Sequence, residues 1–227
     1  MSRPLRPIEP GANAPDFTLP AANREGSVSL AAFRGKRAVM IAFFRGLHCP
    51  FCRRQAEQLS RVAPELAKAG VETLAIFNTV PERARLYFRY HPNASTVLAD
   101  PDCTTHRAFG IPTITFIEPG SSEASSWPRL RSADFAAARI DPTGEIGEKV
   151  HPMKANEVMN AKEGFDLTEH DKAILAKHPT QLSGHFLIDR AGVVRWMRCE
   201  ASRPPEELCR FPTPSEMIEA ARALPAA

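Results

Sequence analysis

The sequence predicts an α/β fold, a central mixed β-sheet flanked by helices, and three observations carry that prediction. An unbroken apolar run, Ala38 to Phe44, leads into an amphipathic helical pattern and then a second strand signal, Val71 to Phe77. Two further strand signals, Phe186 to Asp189 and Val193 to Met197, are joined by the turn Arg190-Ala191-Gly192. A capped helical segment, PTPSEMIEAARAL, follows them. The order is βαβ, then ββα.

Each element has its own warrant. Ala38–Phe44 is apolar at every position and is bounded by Gly35-Lys36-Arg37 and Arg45-Gly46, as expected of a strand covered on both faces. From about Pro50 to Ala69, residues Ala56, Leu59, Val62, Leu66 and Ala69 recur at three- and four-residue steps, with charged residues on the other side. Pro64 is expected to kink this helix and Gly70 to end it. A strand–helix–strand unit makes its two strands parallel. Pro81 to Tyr90 reads as a helix, Thr96 to Asp100 as a short strand, and Thr104 to Phe109 as a helical turn closed by Gly110. Thr213 or Ser215 caps the last helix, with acids in its first turn. Residues 118–183 break the pattern: the first part has loop composition, while Leu167 to Lys177 has a cap and helical spacing. The reading is a single domain, residues 1–227, with 118–183 as an insertion that either covers the site or lies on the surface.

Composition excludes several classes. The 29 basic and 26 acidic residues leave a net charge of +3, too small a surplus for a nucleic-acid surface. No apolar run approaches the ~18 residues of a membrane span. The stretch MSRPLRPIEPGANAP has no apolar core of a secretory signal, so the expected setting is the reducing cytoplasm. Cys49, Cys52, Cys103, Cys199 and Cys209 make an odd set, which argues against a disulfide-stapled scaffold. Neither a cofactor nor a metal is called for.

The chemistry concentrates at Cys49-Pro50-Phe51-Cys52, where a buried strand hands over to a helix. Cys49 falls at the N-cap and Pro50 at the first helical position, where a missing N–H costs nothing. A spacing of three on the first turn brings two cysteines within disulfide reach. The helix N-terminus, with Arg45, Arg53 and Arg54 close in sequence, favours thiolate over thiol. A structural zinc site would need two more ligands at suitable spacing, and Cys199 and Cys209, ten apart, form no second knuckle. Two inert buried cysteines are the other alternative. The βαβ context favours a redox pair.

With these residues in view, the chain resembles the thioredoxin-like superfamily and, within it, the alkyl hydroperoxide reductase/thiol-specific antioxidant, or peroxiredoxin-like, family. The carrying stretches are APDFTLP (Ala14 to Pro20), AVMIAFFRGLHCPFC and FLIDRAGVVRW (Phe186 to Trp196), about 160 residues with the terminal helix, and the insertion lies outside them. The resemblance implies a thioredoxin-like fold and a thiol-based oxidoreductase. Its substrate would be a hydroperoxide or a disulfide, its reductant an external thioredoxin- or glutathione-type thiol, and a homodimer is among the assemblies it allows. Set on Cys52, the family pattern Pro-x-x-x-Thr/Ser-x-x-Cys places Arg45 at the proline and Cys49 at the threonine. The arginine that the family tends to carry near the later strand falls at Ser183. Arg45, or Arg129 and Arg131 of the insertion, are the candidates to supply its charge.

Two mechanisms follow from that resemblance. In a peroxidase, Cys52 attacks the O–O bond, becomes a sulfenic acid and is resolved by Cys49. In a thioredoxin-like reductase, the more exposed Cys49 attacks a disulfide and Cys52 resolves it. A redox-sensing or metal-binding module without turnover is the reading from another class. His185, at the entry to the later strand, is a candidate to tune a thiolate. Cys103 reads as an incidental helix-start residue, and Cys199 and Cys209 as a pair able to bond to each other.

Overall fold

The computed structural model describes residues 5–203 and 205–225; the first four residues of the N-terminal stretch read above lie outside them. In chain order the elements are β1 (Thr18–Pro20), β2 (Ser27–Ser29), β3 (Ala38–Phe44), α1 (Pro50–Lys68), β4 (Val71–Phe77), α2 (Pro81–Tyr90), β5 (Thr96–Ala99) and α3 (Thr104–Ala108). They continue with β6 (Thr115–Phe116), β7 (Arg129–Leu130), α4 (Ser132–Ala137), α5 (Pro152–Lys162), α6 (Glu169–Lys177), β8 (Gly184–Ile188), β9 (Val194–Cys199) and α7 (Pro214–Arg222).

Five strands form the central sheet in the order β5-β4-β3-β8-β9. β3 pairs parallel with β4, from Ala38↔Val71 to Phe44↔Phe77, and antiparallel with β8, from Val39↔Ile188 to Phe43↔Gly184. The sheet is therefore mixed, as the sequence pattern requires. β3 is its middle strand, and all seven of its residues are buried. Its two faces carry separate aromatic clusters: Phe43 packs on Phe109 and Phe186 at centroid distances of 4.8 and 5.9 Å, while Phe44 packs on Phe77 at 4.9 Å. Each such ring stabilises the fold by roughly 1.5–3 kcal/mol through burial alone. The buried pair Asp100–His106 braces the end of β3, the other imidazole nitrogen lying 3.1 Å from the Phe44 carbonyl.

α1 packs against β4, α7 and α5. It runs through Pro64, whose missing N–H leaves the Ser60 carbonyl without its intrahelical donor. Gly70 ends it at φ +76°, in the left-handed region that glycine enters freely. Thr213 rather than Ser215 caps α7, in a reciprocal capping box with Glu216.

Residues 118–183 are more ordered than their composition suggests. They hold α4, α5 and α6, and β6 and β7 pair in parallel at their edge. α6 has the capping box, between Thr168 and Asp171. α5 escapes a sequence reading because its buried face is only Pro152, Ala155 and Met159. It starts on a proline at the first helical position, behind His151 as cap. Asn160 Nδ2 donates to the His48 carbonyl at 3.0 Å, which seats α5 on the loop that leads into α1. The buried Arg83–Asp171 pair, at 2.9 Å, ties α6 to α2.

Candidate active site

The CPFC motif lies at the carboxyl end of β3, where crevices form in open α/β sheets. Cys49 is the N-cap of α1 with φ −89° and ψ 108°, and its Sγ accepts the Cys52 N–H at 3.3 Å. That N–H is one of the donors a helix start leaves unpaired. Pro50 occupies the first helical position. Both sulfurs are buried, Cys49 at 1% and Cys52 at 0% exposure, so the expectation of a more exposed Cys49 is corrected. The loop between β3 and α1 turns inward beneath the insertion and shields both.

Arg45, the first residue after β3, organises the surroundings. Its Nε donates to the Gln181 carbonyl at 2.8 Å, and its Nη2 meets Glu200 Oε2 at 2.6 Å. Its Nη1 points between two sulfurs, 3.2 Å from Cys209 and 3.7 Å from Cys49. Glu200 holds the frame, accepting the Ser183 N–H and the Cys209 N–H at 2.7 Å each. Ser183 in turn stands 3.9 Å from Cys52, hydroxyl to sulfur.

This arrangement separates the two thiols of the pair. Burial alone would raise Cys49, but side-chain hydrogen bonds with Cys209 and Cys52 and the charge of Arg45 outweigh it. Cys49 is left well below the usual thiol value. Burial, the hydrogen bond to Cys49 and the charge on Cys49 push Cys52 well above it. The two thiols are thus driven apart, Cys49 toward the thiolate and Cys52 toward the protonated thiol.

Of the three arginines near the motif in sequence, only Arg45 serves the sulfurs. Arg53 bonds to Asn160 and Glu163 and lies 3.6 Å over the Phe165 ring. Arg54 is taken by Glu163 and Glu145. Acids of the insertion thus absorb both charges. Arg129 and Arg131 are engaged by Glu123, and so do not replace the arginine lost at Ser183.

His185 is a different case. Its ring packs edge-on against Phe44 at 5.6 Å and lies 5.9 Å from Phe211, and burial lowers its pKa to about 3. It is a neutral core residue, and Ser183, two residues earlier, is the strand position beside the dithiol. His48 is also buried, which lowers its pKa, and its Nδ1 has no partner.

Cys199 and Cys209 do not face each other. Cys199 donates to the Ser183 carbonyl at 3.4 Å, and burial pushes its thiol up to about 12. Cys209 belongs to the Arg45 cluster. Burial raises the Cys103 thiol as well, and it sits at the start of α3 with φ 51°. Sequence reasoning passed over Ser183 and Glu200 as parts of the site, and it did not bring Cys209 to Arg45. No local signal distinguishes them, since Glu200 lies 155 residues from the arginine it holds.

A cavity of about 200 Å³ reaches this cluster, walled by Met153, Leu167, Leu175 and Leu182 and meeting Arg45 and Cys209. Most of that wall comes from the insertion. A larger cleft of about 450 Å³ lies at the other end of the sheet, beside Ala38, Gly70 and Arg195, away from the thiols.

The model of the AhpC/TSA family matches residues 10–126, which include β3 and the CPFC motif. Peroxiredoxin Bcp of Escherichia coli K12 is 34% identical over 107 residues, 47% of this chain and 67% of that protein. Among solved structures, peroxidoxin BcpB of Mycobacterium tuberculosis superposes with a TM-score of 0.56, covering 96% of this chain and 99% of that one at 12% identity. Peroxiredoxin Q of Xanthomonas campestris gives 0.52, over 91% and 90%, at 13% identity. These two structural likenesses speak to the fold.

Proposed function

The chain belongs to the AhpC/TSA family, and on that premise we propose that it is a thiol peroxidase that reduces hydroperoxides through a Cys49/Cys52 dithiol–disulfide cycle, with Cys49 as the attacking thiolate. One observation carries the assignment of Cys49: its sulfur faces the Arg45 guanidinium at 3.7 Å and accepts the Cys52 N–H. The family register, which sets the attacker at Cys52, is set aside because Cys52 is the thiol that burial and its neighbour keep protonated.

The Cys49 thiolate attacks the terminal oxygen of the hydroperoxide. The S–O bond forms, the O–O bond breaks, and the alkoxide leaves and takes a proton from solvent. Arg45 faces the attacking sulfur, and its positive charge offsets the negative charge as it moves onto the leaving oxygen. The Cys52 thiol then attacks the sulfenic sulfur, and one water leaves as the disulfide closes. An external reductant, a dithiol of thioredoxin type or two thiols of glutathione type, returns two electrons and leaves as a disulfide.

The same reading takes the chain as one domain with 118–183 as an insertion that walls the site, working in the cytoplasm, with a homodimer as the assembly that solution sizing would test. Among the described residues no helix is long and apolar enough to cross a membrane.

Single-turnover peroxide consumption by Cys49→Ser and Cys52→Ser is the test. Cys49→Ser should consume none, and Cys52→Ser should consume one equivalent, with the oxidised sulfur located at Cys49 by peptide mapping. The reverse pattern would return the attack to Cys52.

A further inference from the structure

The cavity that reaches the site meets a thiol outside the CPFC motif. Arg45, His48 and Cys209 line it, and Cys49 and Cys52 do not. Cys209 sits on the segment between β9 and α7, outside the residues that match the family model. Its backbone N–H and the Arg45 guanidinium are held by the same carboxylate, that of Glu200. One nitrogen of Arg45 touches both Cys209 and Cys49, at 3.2 and 3.7 Å. Cys49 therefore has two thiols near it: Cys52, whose backbone N–H it accepts on α1, and Cys209 on the cavity wall, which shares its arginine.

We propose that Cys209 is a second resolving thiol, which condenses with oxidised Cys49 and presents the resulting Cys49–Cys209 disulfide to the external reductant through the cavity. The proposal rests on Cys49 being the sulfur that is oxidised. In the step, Cys209 sulfur attacks the sulfenic sulfur of Cys49. The S–S bond forms as the S–O bond breaks, and the hydroxide leaves with the Cys209 proton as water. The two electrons given up by Cys209 are returned when an external dithiol reduces the disulfide.

The order of events is built into the charges. While Cys49 is a thiolate, its hydrogen bond with Cys209, and then burial, keep Cys209 protonated. Oxidation of Cys49 removes the negative charge, and of the two sulfurs only Cys209 then draws on Arg45, whose other nitrogen stays on Glu200. Cys209 thus becomes nucleophilic after the first step and not before it.

The experiment maps disulfides by mass spectrometry after oxidation of Cys52→Ser and Cys52→Ala with diamide, which joins thiols without any peroxidase chemistry. An intramolecular Cys49–Cys209 peptide is expected in both variants. Cys209 remaining free to alkylate while Cys49 is oxidised would overturn the proposal. Should neither variant fold, the wild-type chain in graded glutathione buffers gives the same readout. A Cys49–Cys209 fraction alongside Cys49–Cys52 supports the proposal, and its absence wherever Cys49 is bonded refutes it. A chain that forms this disulfide with diamide yet consumes no peroxide would sink the peroxidase reading and keep the pairing. In steady state at limiting reductant Cys209→Ser should lower turnover several-fold more than it lowers the first oxidation measured in a single turnover; an equal fall in both, or unchanged turnover, would overturn the recycling role.

Discussion

Removing the charge on Arg45 asks how Cys49 comes to be a thiolate. Arg45 and Glu200 are a buried pair, their side chains 13% and 4% exposed. Replacing the arginine alone would strand the carboxylate, at a cost of about 3–5 kcal/mol in stability. The double variant Arg45→Met, Glu200→Gln removes both charges and keeps the volumes similar. The guanidinium lies 3.7 Å from the Cys49 sulfur. Two unit charges at that separation attract by about 4 kcal/mol at an effective dielectric of about 20. Arg45 is shared with Cys209 and Glu200, so roughly half of this is expected at Cys49, about 2 kcal/mol. The sign is upward, because loss of a cation disfavours the anion. The titration of Cys49 moves to higher pH, and the rise of peroxide consumption with pH moves up with it. Alkylation rate against pH, with Cys49 identified by peptide mapping, measures the shift. A folded double variant in which Cys49 titrates as in the wild type would refute the electrostatic argument and leave thiolate formation to the helix start and the neighbouring thiols.

The remaining predictions concern the core and the insertion. His185 has a folded pKa of about 3 against an ordinary value of 6.5, so its depressed value contributes stability that is fully present above about pH 6.5 and lost as pH falls toward 3. His185→Leu should flatten that acid limb in urea melts at stepped pH; an unchanged limb would show that other groups set it. Asp171→Asn leaves Arg83 without its buried carboxylate partner and puts an amide donor in place of one carboxylate oxygen, so a loss of about 3–5 kcal/mol is expected by denaturant unfolding. A change under 1 kcal/mol would mean that α6 is not held there. Asn160→Ala combined with Glu163→Gln loosens α5 from the loop before α1 and from Arg53 and Arg54. If the insertion screens the dithiol, reduction of a protein disulfide should speed up while turnover of small hydroperoxides falls. Equal rates for both substrates before and after would remove the screening role.

Local pattern fixes much of this molecule. An apolar run with charged ends marks β3 to the residue, because a strand covered on both faces leaves no room for a polar position, and β4 follows from Gly70 and the apolar stretch Leu74 to Phe77. The three- and four-residue steps of α1 and the caps of α6 and α7 are equally legible, since each depends on neighbours within one turn. The place of the CPFC motif at a strand-to-helix junction follows, and with it the idea of a poised thiol. α4 and α5 escaped because neither shows a continuous apolar face: α4 buries none of its residues, and α5 presents three small contacts to the body of the fold.

The sequence by itself determined that a cysteine pair would stand at the start of a helix in an α/β sheet. Only the tertiary structure decided which of the two is charged and what charges it. Arg45, Arg53 and Arg54 are equivalent along the chain, yet the last two are spent on Glu145 and Glu163 and only the first reaches the sulfur. Glu200 and Cys209 arrive from 155 and 164 residues away to complete the cluster around Arg45. Backbone periodicity depends on a few successive residues. A thiol's ionisation depends on through-space distance and burial, and those exist only once the chain has closed on itself.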